Sequence, residues 1–125
     1  MKKILIILLI VLSAISLSAC DAKFKKDTRP RLTKLHHAAF SGDTELAENL
    51  LKRRSTQIDY RDKNGNTPLH LAVRQNHLEM VKLLVEKGAD MEAANNAGLT
   101  PLSDARVRGF KEIEDYLIDR GAMEQ

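Results

Sequence analysis

The stretch that decides the architecture is Thr67-Pro68-Leu69-His70-Leu71-Ala72, because it returns 33 residues later as Thr100-Pro101-Leu102-Ser103-Asp104-Ala105. A weaker copy, Thr33-Lys34-Leu35-His36-His37-Ala38, starts 34 residues before Thr67. Gly42, Asn76 and Gly109 each fall four positions after the alanine of their copy, so three units run in register. Within a unit the threonine suits a helix N-cap, where its side chain accepts a free backbone N–H. Pro68 and Pro101 suit the first helical position, where a missing donor costs nothing. A short helix is therefore expected after each threonine. Leu69, Ala72 and Val73 share one face of it, while Met80, Val81, Leu83, Leu84 and Val85 make a second helix too apolar to stand alone. Each unit has to bury itself against a neighbour. Asn64-Gly65 is a tight-turn dipeptide, Gly88 and Gly121 stand where a helix end wants a left-handed residue, and no unit offers a long strand.

At these residues the chain resembles the ankyrin repeat, whose period is 33 and whose signature is T-P-L-H-x-A. The middle unit matches almost throughout, including His77-Leu78-Glu79 at the start of the second helix and Gly88-Ala89-Asp90 at its close. The resemblance implies an all-α fold, a short solenoid of three helix-turn-helix repeats over residues 33–125, divided near 33–61, 62–94 and 95–125. Departures gather at the ends. Arg53-Arg54-Ser55-Thr56 replaces the glycine turn of the first unit, which carries one extra residue. Ser103 replaces the signature histidine of the last. Glu114, Asp115 and Tyr116 stand where the middle unit has Val81, Lys82 and Leu83. Polar residues there suit the solvent-facing cap that a short solenoid needs.

Ahead of the repeats, Met1-Lys2-Lys3 and the apolar run from Ile4 to Leu12 have the pattern of a secretory signal peptide over residues 1–19. The stretch from Ile4 to Ala19 is 16 residues with three serines, short of the roughly 20 needed to cross a bilayer. Leu17-Ser18-Ala19-Cys20 resembles the lipobox of bacterial lipoproteins. That resemblance implies lipid on Cys20, a basic linker over residues 20–32, and a place on the periplasmic side of a bacterial envelope membrane. Asp21 resembles the signal for retention at the inner one. A single cysteine excludes an internal disulfide. The whole chain has 20 Lys+Arg against 17 Asp+Glu, and two of the basic residues lie in the leader. The remainder is close to neutral, which gives no reason to expect nucleic acid.

Chemistry is sparse. His36 and His70 fill the signature slot and His77 opens a second helix, so structural roles are expected for them rather than metal binding. Asp104 and Asp119 fall on different helices and read as solvated surface. No phosphate loop, serine elbow or zinc-protease motif is present. The chain is therefore expected not to be an enzyme and to need no cofactor.

What remains is surface. The resemblance implies protein binding through the turn tips and the face of the first helices, at Phe40, Lys63, Asn64, Asn66, Arg74, Gln75, Asn96, Leu99, Val107 and Arg108. Phe40 would either be apolar on that groove or pack inward to close the first unit. Reversing Arg74 and Arg108 is expected to weaken binding and leave folding nearly unchanged. The expected role is a membrane-anchored, monomeric interaction module with an unknown protein partner, of an accessory or immunity type. A structural spacer without a partner and an enzyme are the alternatives.

Overall fold

The structure, a computed structural model, describes residues 33–123. The expectations for the leader, Cys20 and the linker lie outside the described residues. Among the described residues six helices follow in pairs: α1 (Lys34–Ser41) and α2 (Thr44–Leu51), α3 (Pro68–Arg74) and α4 (Leu78–Glu86), α5 (Pro101–Arg108) and α6 (Lys111–Asp119). Among the described residues there is no strand. The fold is the short ankyrin solenoid that the repeat implied.

Local chemistry sets each start. Thr33, Thr67 and Thr100 are extended at the N-cap, and each hydroxyl accepts the N–H of the residue three places on. That residue's side chain reaches back to the cap N–H, which closes a capping box and satisfies two otherwise free donors. Helices this short have little stability of their own. Burial supplies it. First helices stack on first helices, α1 on α3 on α5, and second helices stack as α2, α4 and α6. Leu69, Ala72, Val73, Met80, Val81 and Leu84 of the middle repeat are all fully buried, with Leu35, Leu102, Ile113 and Leu117 reaching the same core from the two ends.

The turns between repeats form a second, polar line of contact. Asp62 Oδ1 accepts from the backbone N–H groups of Asn64 and Asn66, and 33 residues on Asn95 Oδ1 accepts from those of Ala97 and Leu99. Successive tips are then tied together, because Asn96 donates its backbone N–H to the Asn64 carbonyl at 3.0 Å and its Nδ2 to the Lys63 carbonyl at 3.2 Å. Gly65 permits this approach. Its φ is +76°, and a Cβ there would stand 2.5 Å from Asn96 Oδ1.

Where the first unit lacks its glycine turn, the chain ends α2 differently. Lys52 stays right-handed at the C-cap, and Thr56 Oγ1 donates to the Leu50 carbonyl at 2.6 Å. The polar end expected of the last unit is there in part. Asp115 is exposed and pairs with Lys111, whereas Glu114 is largely covered and pairs with Arg106.

Candidate interaction face

Two signature histidines hold the repeats in line. The backbone N–H of Thr67 donates to His70 Nδ1, so the ring proton sits on Nε2, which donates to the Leu99 carbonyl at 2.9 Å in the next repeat. His36 repeats the arrangement from Thr33 to the Asn66 carbonyl at 3.0 Å. Burial lowers the pKa of both imidazoles, outweighing the carbonyl and the nearby Asp62 or Asp104 that favour the cation. Both are therefore neutral structural pins. His77 Nε2 likewise donates to the Phe40 carbonyl of the preceding repeat at 3.1 Å. Among the described residues no group of His, Cys, Asp and Glu could hold a metal ion.

Asp104 overturns its expected place. It is 1% exposed, and its two oxygens each take a guanidinium: Arg74 Nε donates to Oδ2 and Arg108 Nε to Oδ1, both at 2.8 Å. Its position corresponds to buried Leu71 of the middle repeat, an inward slot, and a carboxylate survives there only because two cations come with it. A hint was available in the sequence, since Arg108 lies four residues after Asp104, one helical turn away. Arg74 and Arg108 are thus fixed by their Nε atoms. They carry a net positive charge between them and keep part of each guanidinium open, with side chains 27% and 40% exposed.

Around this pair the expected binding residues separate into three groups. Arg74, Asn64 and Asn96 meet in one groove of about 380 Å³, closed by Asn95 and Ala97. Phe40 and Val107 take the place of Arg74 in the neighbouring repeats and are 53% and 76% exposed, so Phe40 does not pack inward. Lys63 and Gln75 are exposed, and Leu99 is half-buried. Asn66 is a correction. Only 1% exposed, it accepts from Asn95 Nδ2 through Oδ1 and from His36 and the Asp62 N–H through its carbonyl. A partner would find only its edge, at the floor of the groove.

Stacked capped helices, histidine pins and tied turn tips define a repeat protein of the helix-turn-helix solenoid class. The family model for ankyrin repeats, in three copies, matches residues 8–95 and 35–124, and the chain belongs to the ankyrin-repeat family. It is 35% identical over 99 residues to the mouse ankyrin repeat and SAM domain-containing protein 6, an alignment covering 78% of this chain and 11% of the relative. It is 39% identical over 90 residues to a nematode (Caenorhabditis elegans) homologue of transient receptor potential cation channel subfamily A member 1, covering 72% of this chain and 7% of that one. Mouse protein phosphatase 1 regulatory subunit 27 is 40% identical over 81 residues, 65% of this chain and 53% of its own length. The chain thus spans only a fraction of these relatives. Ankyrin repeats serve protein–protein interaction and are generally not catalytic.

Proposed function

We propose that this chain is a membrane-anchored interaction module that grips a protein partner on the face carrying Phe40, Arg74, Val107 and Arg108. One observation carries the reading. Two large apolar side chains stand in solvent at the positions that Arg74 holds in the middle repeat, and a buried carboxylate holds two guanidiniums in place, the mixture of apolar anchor and fixed arginine found at binding hot spots. Because their Nε atoms are already committed, the arginines lose little freedom on binding. They suit a partner segment with a carboxylate between apolar residues. A relative that is a phosphatase regulatory subunit supports a regulatory role exerted by binding. The anchor rests on the leader and the lipobox-like Leu17-Ser18-Ala19-Cys20. With lipid on Cys20 the module would work from the periplasmic side of a bacterial envelope membrane, the inner one on the strength of Asp21, as an accessory or immunity-type factor.

A photo-crosslinking amino acid at Phe40 or Val107 should capture one discrete partner in intact cells, whereas the same probe at Asp115 or Glu79, exposed on second helices, should not. Equal capture from all four positions would sink the face. Cys20→Ser should release the chain from the membrane fraction or leave it unprocessed. A Cys20→Ser variant that stays membrane-bound at the processed mass would sink the anchor.

A further inference from the structure

The outer side of the first repeat is unlike the rest of the stack. In the middle and last repeats the second-helix leucines Leu84 and Leu117 are fully buried, but the corresponding Leu50 is only half-buried, since no described repeat is stacked outside it. An open apolar groove of about 320 Å³ results, lined by Leu35, Leu50 and Tyr60 with Thr33, Lys34 and Gln57. Tyr60 is 36% exposed at its rim. Among the described residues no acid lines it.

Cations adjoin this groove. Lys34 lines it, and the exposed run Lys52-Arg53-Arg54 leads into Ser55 and Thr56, which line it as well. Arg53 and Arg54 open the segment, Arg53 to Thr56, that stands in place of the glycine turn of the other repeats. Among the described residues no ion pair engages Lys34, Lys52, Arg53 or Arg54, although Glu48 lies one turn before Lys52. Elsewhere on the domain, exposed lysines and arginines are commonly paired, as Lys82 is with Glu79, Lys111 with Asp115 and Arg120 with Glu86. In sequence, the patch continues into Lys23, Lys25, Lys26, Arg29 and Arg31 just ahead of the described residues.

We propose that this end of the solenoid is a docking face for an anionic bilayer surface, with Lys34, Lys52, Arg53 and Arg54 against lipid phosphates and the Tyr60 rim in the interfacial layer. Clustered cations are drawn to anionic headgroups, and tyrosine is at home where an apolar region meets a wet one. The proposal rests on the membrane-anchored reading above and adds an orientation to it. With the first repeat down, the stack stands away from the membrane and the Phe40–Val107 face is left open along its side.

The chain has no tryptophan, so Gln57→Trp places a single indole at an exposed position in the groove, and Met123→Trp places one at the far end as its control. Each full-length variant is reconstituted with vesicles of phosphatidylcholine alone and with vesicles of which half the lipid is phosphatidylglycerol. Co-sedimentation with both vesicle types reads the anchor. A blue shift of the groove indole, with quenching by lipids brominated on the acyl chains, reads the face. The groove indole should be shifted and quenched several-fold more on anionic vesicles than on neutral ones, and the far-end indole should be unaffected by either. Reversal of Lys52, Arg53 and Arg54 to Glu in the Gln57→Trp chain should abolish the fluorescence response and leave helix content and co-sedimentation unchanged. Co-sedimentation without a response from the groove indole overturns the face while the anchor stands. Sedimentation on anionic vesicles alone, with the groove indole quenched, upholds the face and removes the anchor. Equal quenching of the two indoles, a groove indole already blue-shifted before lipid is added, or sedimentation with neither vesicle overturns the face.

Discussion

His70 in the middle repeat and Ser103 in the last stand 33 residues apart in the same slot, and both take the backbone N–H of their threonine cap, at 3.1 and 2.8 Å. There the likeness stops. The imidazole is long enough to use its second nitrogen on the Leu99 carbonyl of the next repeat, whereas the Ser103 hydroxyl turns back to the Thr100 carbonyl at 3.1 Å. A repeat with a successor needs a group that caps and reaches. The third repeat, with no described repeat after it, uses only the cap. The signature histidine is thus less a helix-forming residue than a coupling between units, and Ser103 keeps the cap without the coupling.

Removing the end tests that coupling most severely. A chain cut before Gly98 keeps two complete helix pairs but loses the Leu99 carbonyl that His70 holds. It also loses Leu102, Ile113 and Leu117, which help cover the middle repeat. Neighbour contacts supply most of the stability of such a stack, so the truncated chain should lose its cooperative transition altogether. Circular dichroism on heating is the measurement. A sharp melt with helix content in proportion to length would show that two repeats suffice.

Next in size is the clamp that joins the middle and last repeats through side chains. Arg74→Glu sets a second carboxylate against Asp104, which is 1% exposed and then keeps only Arg108. The expected loss is about 2–4 kcal/mol of unfolding free energy, because a buried charge is left under-compensated. This replaces the expectation that charge reversal would spare the fold. Lys82→Glu, at an exposed pair with Glu79, should change stability by less than about 0.5 kcal/mol. Urea titration of both variants measures the difference, and equal losses would deny Asp104 its role.

His70→Ala and Ser103→Ala sharpen the opening comparison directly. The first abandons a capping contact and the bond between repeats, leaving the Leu99 carbonyl with only the Asn95 N–H, an expected cost of about 1–3 kcal/mol; the second loses a cap alone, about 0.5–1 kcal/mol. Acid should imitate the first change only. Both buried imidazoles have pKa values lowered below 6.5 by desolvation, so below pH 6.5 the unfolded chain binds protons that the folded one refuses. Stability should be full above pH 6.5 and fall as pH drops from there toward the lowered native values, at up to about 1.4 kcal/mol per pH unit for each histidine. His70→Ala should remove roughly half of that slope, and Ser103→Ala none. A slope unchanged in His70→Ala would place the titration elsewhere.

The repeat was legible because period and capping are written in local sequence. The threonines, prolines and helix-end glycines announce their conformations without reference to anything distant. Asp104 and Asn66 were not legible in the same way. A period identifies the slot but not which neighbour comes to fill it, and both residues are buried only because groups from the next repeat, or the one before, meet them: Arg74 for Asp104, and His36 and Asn95 for Asn66. The close of the first repeat was obscure for a related reason. Without a glycine, α2 is ended by a hydroxyl six residues from its acceptor, Thr56 to Leu50, which no turn dipeptide announces.

The smallest effects lie at the ends of the first helices, where three equivalent positions are left-handed with different residues: Gly42 at φ 77°, Asn76 at 58° and Gly109 at 75°. The middle repeat alone carries a side chain there. Asparagine tolerates this conformation better than most residues but still less readily than glycine, so Asn76→Gly should stabilise the protein by roughly a few tenths of a kcal/mol. Alanine separates the two glycines. At Gly109 a Cβ meets nothing within 4 Å, so Gly109→Ala should cost only the backbone strain, about 1 kcal/mol. At Gly42 the Cβ would also stand 2.9 Å from His77 Nδ1, in the ring that ties the second repeat to the Phe40 carbonyl, so Gly42→Ala should cost more. Thermal unfolding of the three variants should rank Asn76→Gly above the unmodified chain, then Gly109→Ala, then Gly42→Ala. If the two alanine variants melt together, His77 is not held against Gly42, and the first junction is looser than the one His70 pins.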